Sequence, residues 1–144
     1  MADHVIKTGD LIEITISAPA IVPLLQAPIP LTGSSTSLLI TGLPVCLLGD
    51  ELPKELRGPL PYTAPPFVIP GMGTLKLTIL PENMTQLTTN SGKPLLIVGG
   101  QFPAVFTVEQ PAMQPTPTGP IPDPQIEKPG TARFITTNEV VVAG

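Results

Sequence analysis

The chain has 144 residues, a net charge of −4 and only 12% charged residues, with 21 prolines and 13 glycines. This length suits one domain with a sizeable core, and the lack of a basic patch argues against nucleic-acid binding. Proline and glycine approach the share typical of low-complexity chains, but 42% apolar content excludes disorder throughout.

Low charge combined with high apolar content has two explanations. Either a partner covers part of the surface, or the core is large and well packed. The single cysteine, Cys46, excludes an internal disulfide and a multi-cysteine zinc site. No basic stretch followed by an apolar stretch opens the chain, so we expect no signal peptide. The longest apolar run, residues 18–25, is too short to cross a bilayer.

The clearest predicted strand covers residues 10–17. Ile12, Ile14 and Ile16 alternate there with polar residues, which is typical of a strand with one buried face. Residues 18–32 follow with four prolines. Since proline cannot donate to a β-ladder, we expect this stretch to be an extended edge or loop that lies against the body.

A core unit is predicted at residues 38–48, with two short buried strands joined by a tight turn at residues 42–44. Gly49 and Asp50 end this unit. A similar pattern of apolar residues, glycine and proline returns 57 positions later, in residues 95–106. The recurrence indicates a duplicated β-hairpin unit.

Between and after these two units the pattern is mixed. Residues 53–70 carry six prolines and are predicted to form a long, extended surface loop, with one helical turn at 54–57. Residues 74–80 alternate like a second strand, and residues 84–89 suit a weaker one. The second core unit is predicted to span residues 94–109.

The last part of the chain changes character. Residues 111–129 hold seven prolines and predict a stiff, polyproline-like connector. Residues 133–137 and 139–142 then favour a terminal hairpin or one bent strand. The predicted organisation is a β-domain over residues 1–110, a proline-rich connector over 111–130 and a C-terminal β extension over 131–144.

Convergent catalytic groups are scarce in this sequence, so we predict that the protein is not an enzyme. His4 lies near a terminus that we expect to be frayed and solvated, and Cys46 is expected to be a small buried hydrophobe. Asp50 and Glu51 are neighbours, so on a strand they point to opposite faces, and a turn role for Asp50 is favoured. We expect no cofactor. A single chain offers too few ligands for a metal site, although zinc shared within a symmetric oligomer stays open.

Residues 40–50 resemble the signature of PAAR-repeat proteins, which runs as an aliphatic strand, Asn-Gly and any residue, then Pro-Ala-Ala-Arg, an aliphatic residue and Gly-Asp. Gly42, Pro44, Gly49 and Asp50 occupy the corresponding places. The second unit looks like a degraded repeat that keeps Gly99 and Pro103 but loses the Gly-Asp. The resemblance covers roughly residues 9–109. These six residues are the predicted structural motif: Gly42, Pro44, Gly49, Asp50, Gly99 and Pro103.

The resemblance implies an all-β fold: a small conical domain of short strands with pseudo-threefold character and proline-rich loops. It further implies a structural spike-tip protein that caps the trimeric β-helical spike of a contractile injection system, one chain per trimer, and helps puncture the target envelope. The histidines that hold zinc in many family members are absent, so a zinc site is not carried over. The implied setting is a phage-tail-like extracellular particle, with the protein made in the bacterial cytoplasm.

Two repeats are visible, and the third face is expected from residues 12–17 or 74–80. Implied partners are the spike, other baseplate components or an effector, and transiently the target membrane. Two other classes remain open. One is a β-sandwich binding module or structural virion module without a piercing role. The other is a secreted enzyme or toxin, which the shortage of His, Cys, Tyr and Trp disfavours.

Overall fold

Fourteen β-strands form most of the regular structure in the computed structural model, which describes residues 3–17, 20–90, 92–136 and 142–143. The all-β prediction is confirmed, and three single-turn 3₁₀ helices at Pro23–Leu25, Lys54–Leu56 and Pro81–Asn83 are the helical elements of that part of the chain. None of them is long and apolar enough to cross a membrane. The strands are β1 (Asp3–His4), β2 (Leu11–Ile16), β3 (Ile29–Pro30), β4 (Leu39–Ile40), β5 (Leu43–Pro44), β6 (Leu60–Ala64), β7 (Phe67–Leu77), β8 (Met84–Asn90), β9 (Lys93–Leu96), β10 (Phe102–Gln110), β11 (Met113–Gln114), β12 (Ile121–Pro122), β13 (Glu127–Ile135) and β14 (Val142–Ala143).

The main sheet is antiparallel and curls into a half-barrel. Its strand order is β12-β11-β7-β10-β13-β2-β3, and β6 also pairs with β7. The centre is β10, which pairs with β7 on one side and with β13 on the other. Alternate residues of β10 point into the core, because successive side chains of a strand face opposite sides; these are Phe102, Ala104, Phe106 and Val108.

Four aromatic rings pack in the core beneath this sheet. The Tyr62 and Phe106 rings meet edge to face with centroids 5.3 Å apart, and the Phe102 and Phe134 rings lie 5.0 Å apart. Each such pair adds about 0.5–1.5 kcal/mol beyond the buried apolar area. Since Tyr62 comes from β6, Phe102 and Phe106 from β10, and Phe134 from β13, the core joins strands from the middle and the end of the chain.

Several predicted elements are confirmed. The strand at residues 10–17 is β2, with Ile12 and Ile14 buried and Glu13 turned toward solvent. The helical turn at 54–57 and the strand at 84–89 are also present. Residues 20–32 lie against the body as expected, because Val22, Leu25 and Leu31 are buried there.

The prediction that residues 53–70 form a surface loop is wrong. This stretch contains the 3₁₀ turn, the whole of β6 and the start of β7, and its apolar side chains enter the core: Leu56, Leu60, Tyr62 and Ala64. The prolines misled the prediction. Pro61 lies in β6, whose only strand partner in the described residues is β7 and whose other edge has a single bridge, between Thr63 and Ile21, so a missing N–H is tolerated there.

The chain after Gln110 is part of the same sheet and core as the chain before it. Strand β13 pairs with both β10 and β2, and Phe134 and Ala112 are buried with the main core. Strand β14 pairs with β1, a pairing that the prediction of a terminal hairpin or one bent strand did not include. Residues 137–141, which belong to that prediction, lie outside the described residues.

A buried polar cluster secures the proline-rich segment. The Lys128 ammonium lies 2.7 Å from the Asp123 carboxylate, and the Tyr62 hydroxyl donates to the same carboxylate oxygen at 2.8 Å. The Ala112 N–H donates to the Tyr62 oxygen at 3.0 Å. Burial alone would raise the pKa of Asp123, but hydrogen bonds from Lys128, the Gln125 N–H and Tyr62 outweigh it and hold that pKa below its ordinary value.

We expect K128M to destabilise the fold by about 3–5 kcal/mol, because it leaves the Asp123 carboxylate buried without its counter-ion. Urea unfolding at pH 7 measures the change in the free energy of unfolding. The control is K76M, which removes an exposed lysine and should shift that free energy by no more than about 0.5 kcal/mol.

The two variants should also differ in how the free energy of unfolding depends on pH. A depressed folded-state pKa contributes stability above the ordinary Asp value of about 4, and that contribution is lost as pH falls through the folded pKa. Wild type and K76M should therefore lose more stability than K128M between pH 5 and the acid limit. Parallel acid profiles for all three proteins would contradict the role given to Lys128.

Candidate functional site

Three six-residue segments from distant parts of the chain meet in one structural assembly. They are residues 5–10 (VIKTGD), 45–50 (VCLLGD) and 95–100 (LLIVGG), and we call them the three core segments. The first core segment follows β1 (Asp3–His4), the second follows β5 (Leu43–Pro44), and the third begins within β9, after residues 93–94. Their starts are offset by 40 and 50 positions.

Two cyclic sets of backbone hydrogen bonds join the core segments. In the first set, Ile6 N–H donates to Leu96 O at 2.9 Å, Leu96 N–H to Cys46 O at 3.0 Å, and Cys46 N–H to Ile6 O at 2.8 Å. The cycle closes after three bonds, with each segment donating once and accepting once. Such closure requires three equivalent segments around one axis.

The second set has the same symmetry and uses the residue two positions after each middle residue as donor and the residue just before each core segment as acceptor. Thr8 N–H donates to Pro44 O at 2.9 Å, Leu48 N–H to Pro94 O at 2.9 Å, and Val98 N–H to His4 O at 3.0 Å. Three antiparallel bridges obey the same rule: Val5 with Ile97, Lys7 with Val45, and Leu47 with Leu95. The core segments therefore form a pseudo-threefold hydrogen-bonded ring.

Side chains alternate across this ring. The middle residues Ile6, Cys46 and Leu96 are 0% exposed and belong to the main core. Five of the six residues on either side of them belong to a second apolar cluster, which Ile40 of β4 completes; the five are Val5, Val45, Leu47, Leu95 and Ile97, and the sixth is Lys7. The ring is thus a plate with an apolar layer on each side.

Glycine and aspartate close the first two core segments. Gly9 and Gly49 have φ of +94° and +108°, which L residues rarely adopt. The following carboxylate then reaches back to the ring: Asp10 accepts from the Lys7 N–H at 2.9 Å and Asp50 from the Leu47 N–H at 2.8 Å.

In the third core segment Asn83 replaces the missing aspartate. The Ile97 N–H donates to Asn83 O at 2.9 Å, and the Asn83 amide donates to Val98 O and Gly100 O at 3.1 and 2.8 Å. Gly99 is also required here, because a Cβ would lie 2.3 Å from Glu82 O. The N–H at the third position of this core segment, that of Ile97, therefore finds its acceptor in another part of the chain.

Three two-stranded ribbons extend from the ring, and we call them the arms: β1–β14, β4–β5 and β8–β9. The turn of the β4–β5 arm has Thr41 and Gly42 at φ of +50° and +81°, as a type I′ hairpin turn requires. A tight turn is therefore present as predicted, but it lies at residues 41–42 rather than 42–44, because Leu43 and Pro44 belong to β5, and its strands are only partly buried. Large apolar side chains are exposed on two arms: Leu39 (53%), Leu43 (39%) and Leu87 (93%).

The structure places the six predicted motif residues in two regions. Gly42 lies in an arm turn, Pro44 supplies a ring acceptor, and Gly49, Asp50 and Gly99 lie in core segments. Pro103 lies apart from the ring, in β10, where its carbonyl accepts from Thr78.

The predicted repeat register is wrong. Gly99 corresponds to Gly49 rather than to Gly42, so the spacing is 50 and not 57. The third unit is the N-terminal segment 5–10, whereas residues 12–17 and 74–80 belong mainly to β2 and β7 of the main sheet. The sequence does carry a signal of this third unit, the Gly-Asp pair at 9–10 that repeats at 49–50. His4 is not frayed, since it lies in β1 and its carbonyl accepts a ring bond.

The chemistry available at the ring is structural. The Cys46 thiol is fully buried, and burial, followed by the nearby charges of Asp50 and Asp10, raises its pKa to about 12. A thiol held neutral is a poor nucleophile. Within the described ranges, no three His, Cys, Asp or Glu side chains cluster as metal ligands would.

Comparison with known proteins agrees with this structural interpretation. Residues 1–144 match the family model described as contractile injection system spike tip protein. No curated protein matches the chain.

We expect G49A to destabilise the protein by about 1–2 kcal/mol, because alanine at a positive φ is strained although nothing lies within 4 Å of the new Cβ. The matched control is G58A, which also meets open space but needs no positive φ. It should be neutral or slightly stabilising. Thermal or urea unfolding measures both, and equal effects would show that the Gly49 turn is not constrained.

Cys46 should resist alkylation in the folded protein. With iodoacetamide at pH 8 we expect labelling on the order of a hundredfold slower than in guanidinium, because the native thiol is buried and almost entirely protonated. Intact-mass time courses measure both rates. Rapid native labelling would mean that the ring opens readily.

Proposed function

The chain belongs to the contractile injection system spike tip family, and from this premise we propose that a single copy caps a trimeric β-helical spike. Membership of this family gives the protein a structural tip role within an injection particle. The finer proposal concerns how one chain meets a threefold partner. The observation that carries it is the pseudo-threefold ring.

Symmetry matching supports the proposal. A trimeric spike ends in three equivalent surfaces, whereas most single chains offer no threefold surface. Here one chain supplies three equivalent segments and three arms around one axis. The short arm strands also have edges whose backbone N–H and C=O groups are suited to pairing with strand ends of a partner.

Surface chemistry agrees with docking through the arms. Leu39, Leu43 and Leu87 are exposed there, and the whole chain carries few charges. Interface cores are depleted of charged residues and enriched in apolar ones. Burying one leucine against a partner contributes about 1.5–3 kcal/mol.

We further propose that the protein acts mechanically, as a rigid point that helps to puncture a target envelope. Closed hydrogen-bond cycles and 21 prolines leave the chain few alternative conformations. Other baseplate parts or an effector are additional partners, the target membrane is contacted transiently, and the particle acts outside the producing cell. No catalytic step is assigned to the chain.

The test is the stoichiometry of a complex with the trimeric spike protein encoded nearby, measured by native mass spectrometry. We expect one chain per spike trimer. Three chains per trimer would contradict single-chain capping, and a monomer that ignores the spike would favour the β-sandwich binding or virion module instead.

Variants locate the contact. L39S/L87S changes two arms and should weaken spike binding by a factor of ten or more, about 1.4 kcal/mol. V68S/I126S changes two side chains that are each 54% exposed elsewhere and should leave binding unchanged. Weaker binding of V68S/I126S together with unchanged binding of L39S/L87S would show that the docking surface lies outside the arms.

A further inference from the structure

A slot opens between strand β2 and the chain that follows it. Strand β3 pairs with β2 only at Leu11 and Ile12, and the 3₁₀ turn Pro23–Leu25 carries the intervening chain away from the strand. The space between them is a groove of about 570 Å³, within the range of sites that hold small ligands or short peptide segments. Its lining is formed by residues 13–16, 20–22 and 25–28.

The β-ladder determines which backbone groups face the slot. Ser17 N–H donates to Pro129 O, and its neighbour Ile16 pairs with Gly130, so the odd-numbered residues of β2 bond to β13. The N–H and C=O groups of Ile14 and Ile16 therefore point to the opposite edge. No strand in the described part of the chain pairs with that edge beyond Ile12.

This edge is unusual because it is sheltered. Ile14 is only 3% exposed, and sheltered backbone polar groups nearly always have hydrogen-bond partners. The opposite wall is fixed by Ile21, whose N–H and C=O both bond to Thr63 at 2.7 and 2.9 Å. The slot therefore has, on one wall, strand groups without a ladder partner among the described residues, and apolar side chains on the other.

We propose that this slot binds an extended segment of a partner polypeptide, which adds to β2 as a strand at Ile14 and Ile16. An extended chain presents N–H and C=O groups at the spacing that a strand edge requires, and alternate side chains then fill the apolar wall. Ile21, at 42% exposed, and Leu25 belong to that wall.

The charge around the slot limits which partner segments can bind there. Glu13 is the only ionisable residue among those that line the slot, and it pairs with Arg133 at 2.9 Å on the surface. Arg133 offsets this charge locally, but the chain carries a net charge of −4, so an apolar segment that is neutral or weakly basic is favoured over an acidic one. The slot uses no residue of the three arms, so this inference stands apart from spike capping.

The experiment uses the full chain, labelled for NMR, and the peptide acetyl-KVTVTVTK-amide as the probe. We expect saturable binding below about 1 mM, with amide shifts centred on Ile14 and Ile16 and slower hydrogen exchange at those two amides. Two further peptides carry N-methyl groups on alternate amides, one on the valines and one on the threonines. Strand addition to a single edge predicts that one methylated peptide binds like the parent and that the other binds at least about tenfold more weakly.

I21S tests the apolar wall and should weaken binding several-fold, whereas I126S, an exposed isoleucine elsewhere, should not. Unfolding curves confirm that both variants fold. The proposal is overturned by no binding at 1 mM, by equal binding of all three peptides, or by shifts that map outside the slot. Acidic acetyl-EVTVTVTE-amide binding as well as the parent peptide would overturn the assigned charge preference.

Discussion

Six backbone hydrogen bonds in two closed cycles hold together three segments that lie about 40 to 50 residues apart in the chain. A closed cycle is a strict constraint, because loss of one segment leaves ring donors and acceptors on the other two unpaired in a buried place. The N-terminal segment is therefore as necessary as the two internal ones. The arms and the two apolar layers have their positions because the ring fixes where each segment begins and ends.

The symmetry is geometric rather than chemical. The ring donor at the third position of each core segment is satisfied by Asp10 in the first, by Asp50 in the second and by the Asn83 carbonyl in the third. Lys7 takes the place that Leu47 and Ile97 have in the other segments, and its ammonium lies 3.3 Å from Asp10. A single chain can thus keep a threefold backbone while its side chains differ, which a true trimer cannot do.

Proline lacks a backbone N–H but keeps its carbonyl acceptor, and this fold uses both properties. Pro44 and Pro94 supply carbonyl acceptors to the ring at positions where no donor is needed. Pro61 lies in an edge strand, and Pro129 lies in β13, where its carbonyl accepts from Ser17. In each case the fixed φ reduces the entropy of the unfolded chain without removing a hydrogen bond that the fold uses.

By itself the sequence determined the all-β class, the alternating strand β2, the turn at Gly42 and the closing role of Gly49 and Asp50, because these depend on local periodicity and turn chemistry. It also indicated a family resemblance, carried by residues 40–50 and by the weaker second unit at residues 97–106. Only the tertiary structure decided the repeat register, the third core segment, the burial of β6 and the place of β13 in the main sheet and core. Those features depend on pairing between residues far apart in the chain. The Gly-Asp pairs at 9–10 and 49–50 relate two of the core segments in the sequence, but residues 95–100 lack the aspartate, and only the ring shows that they are equivalent.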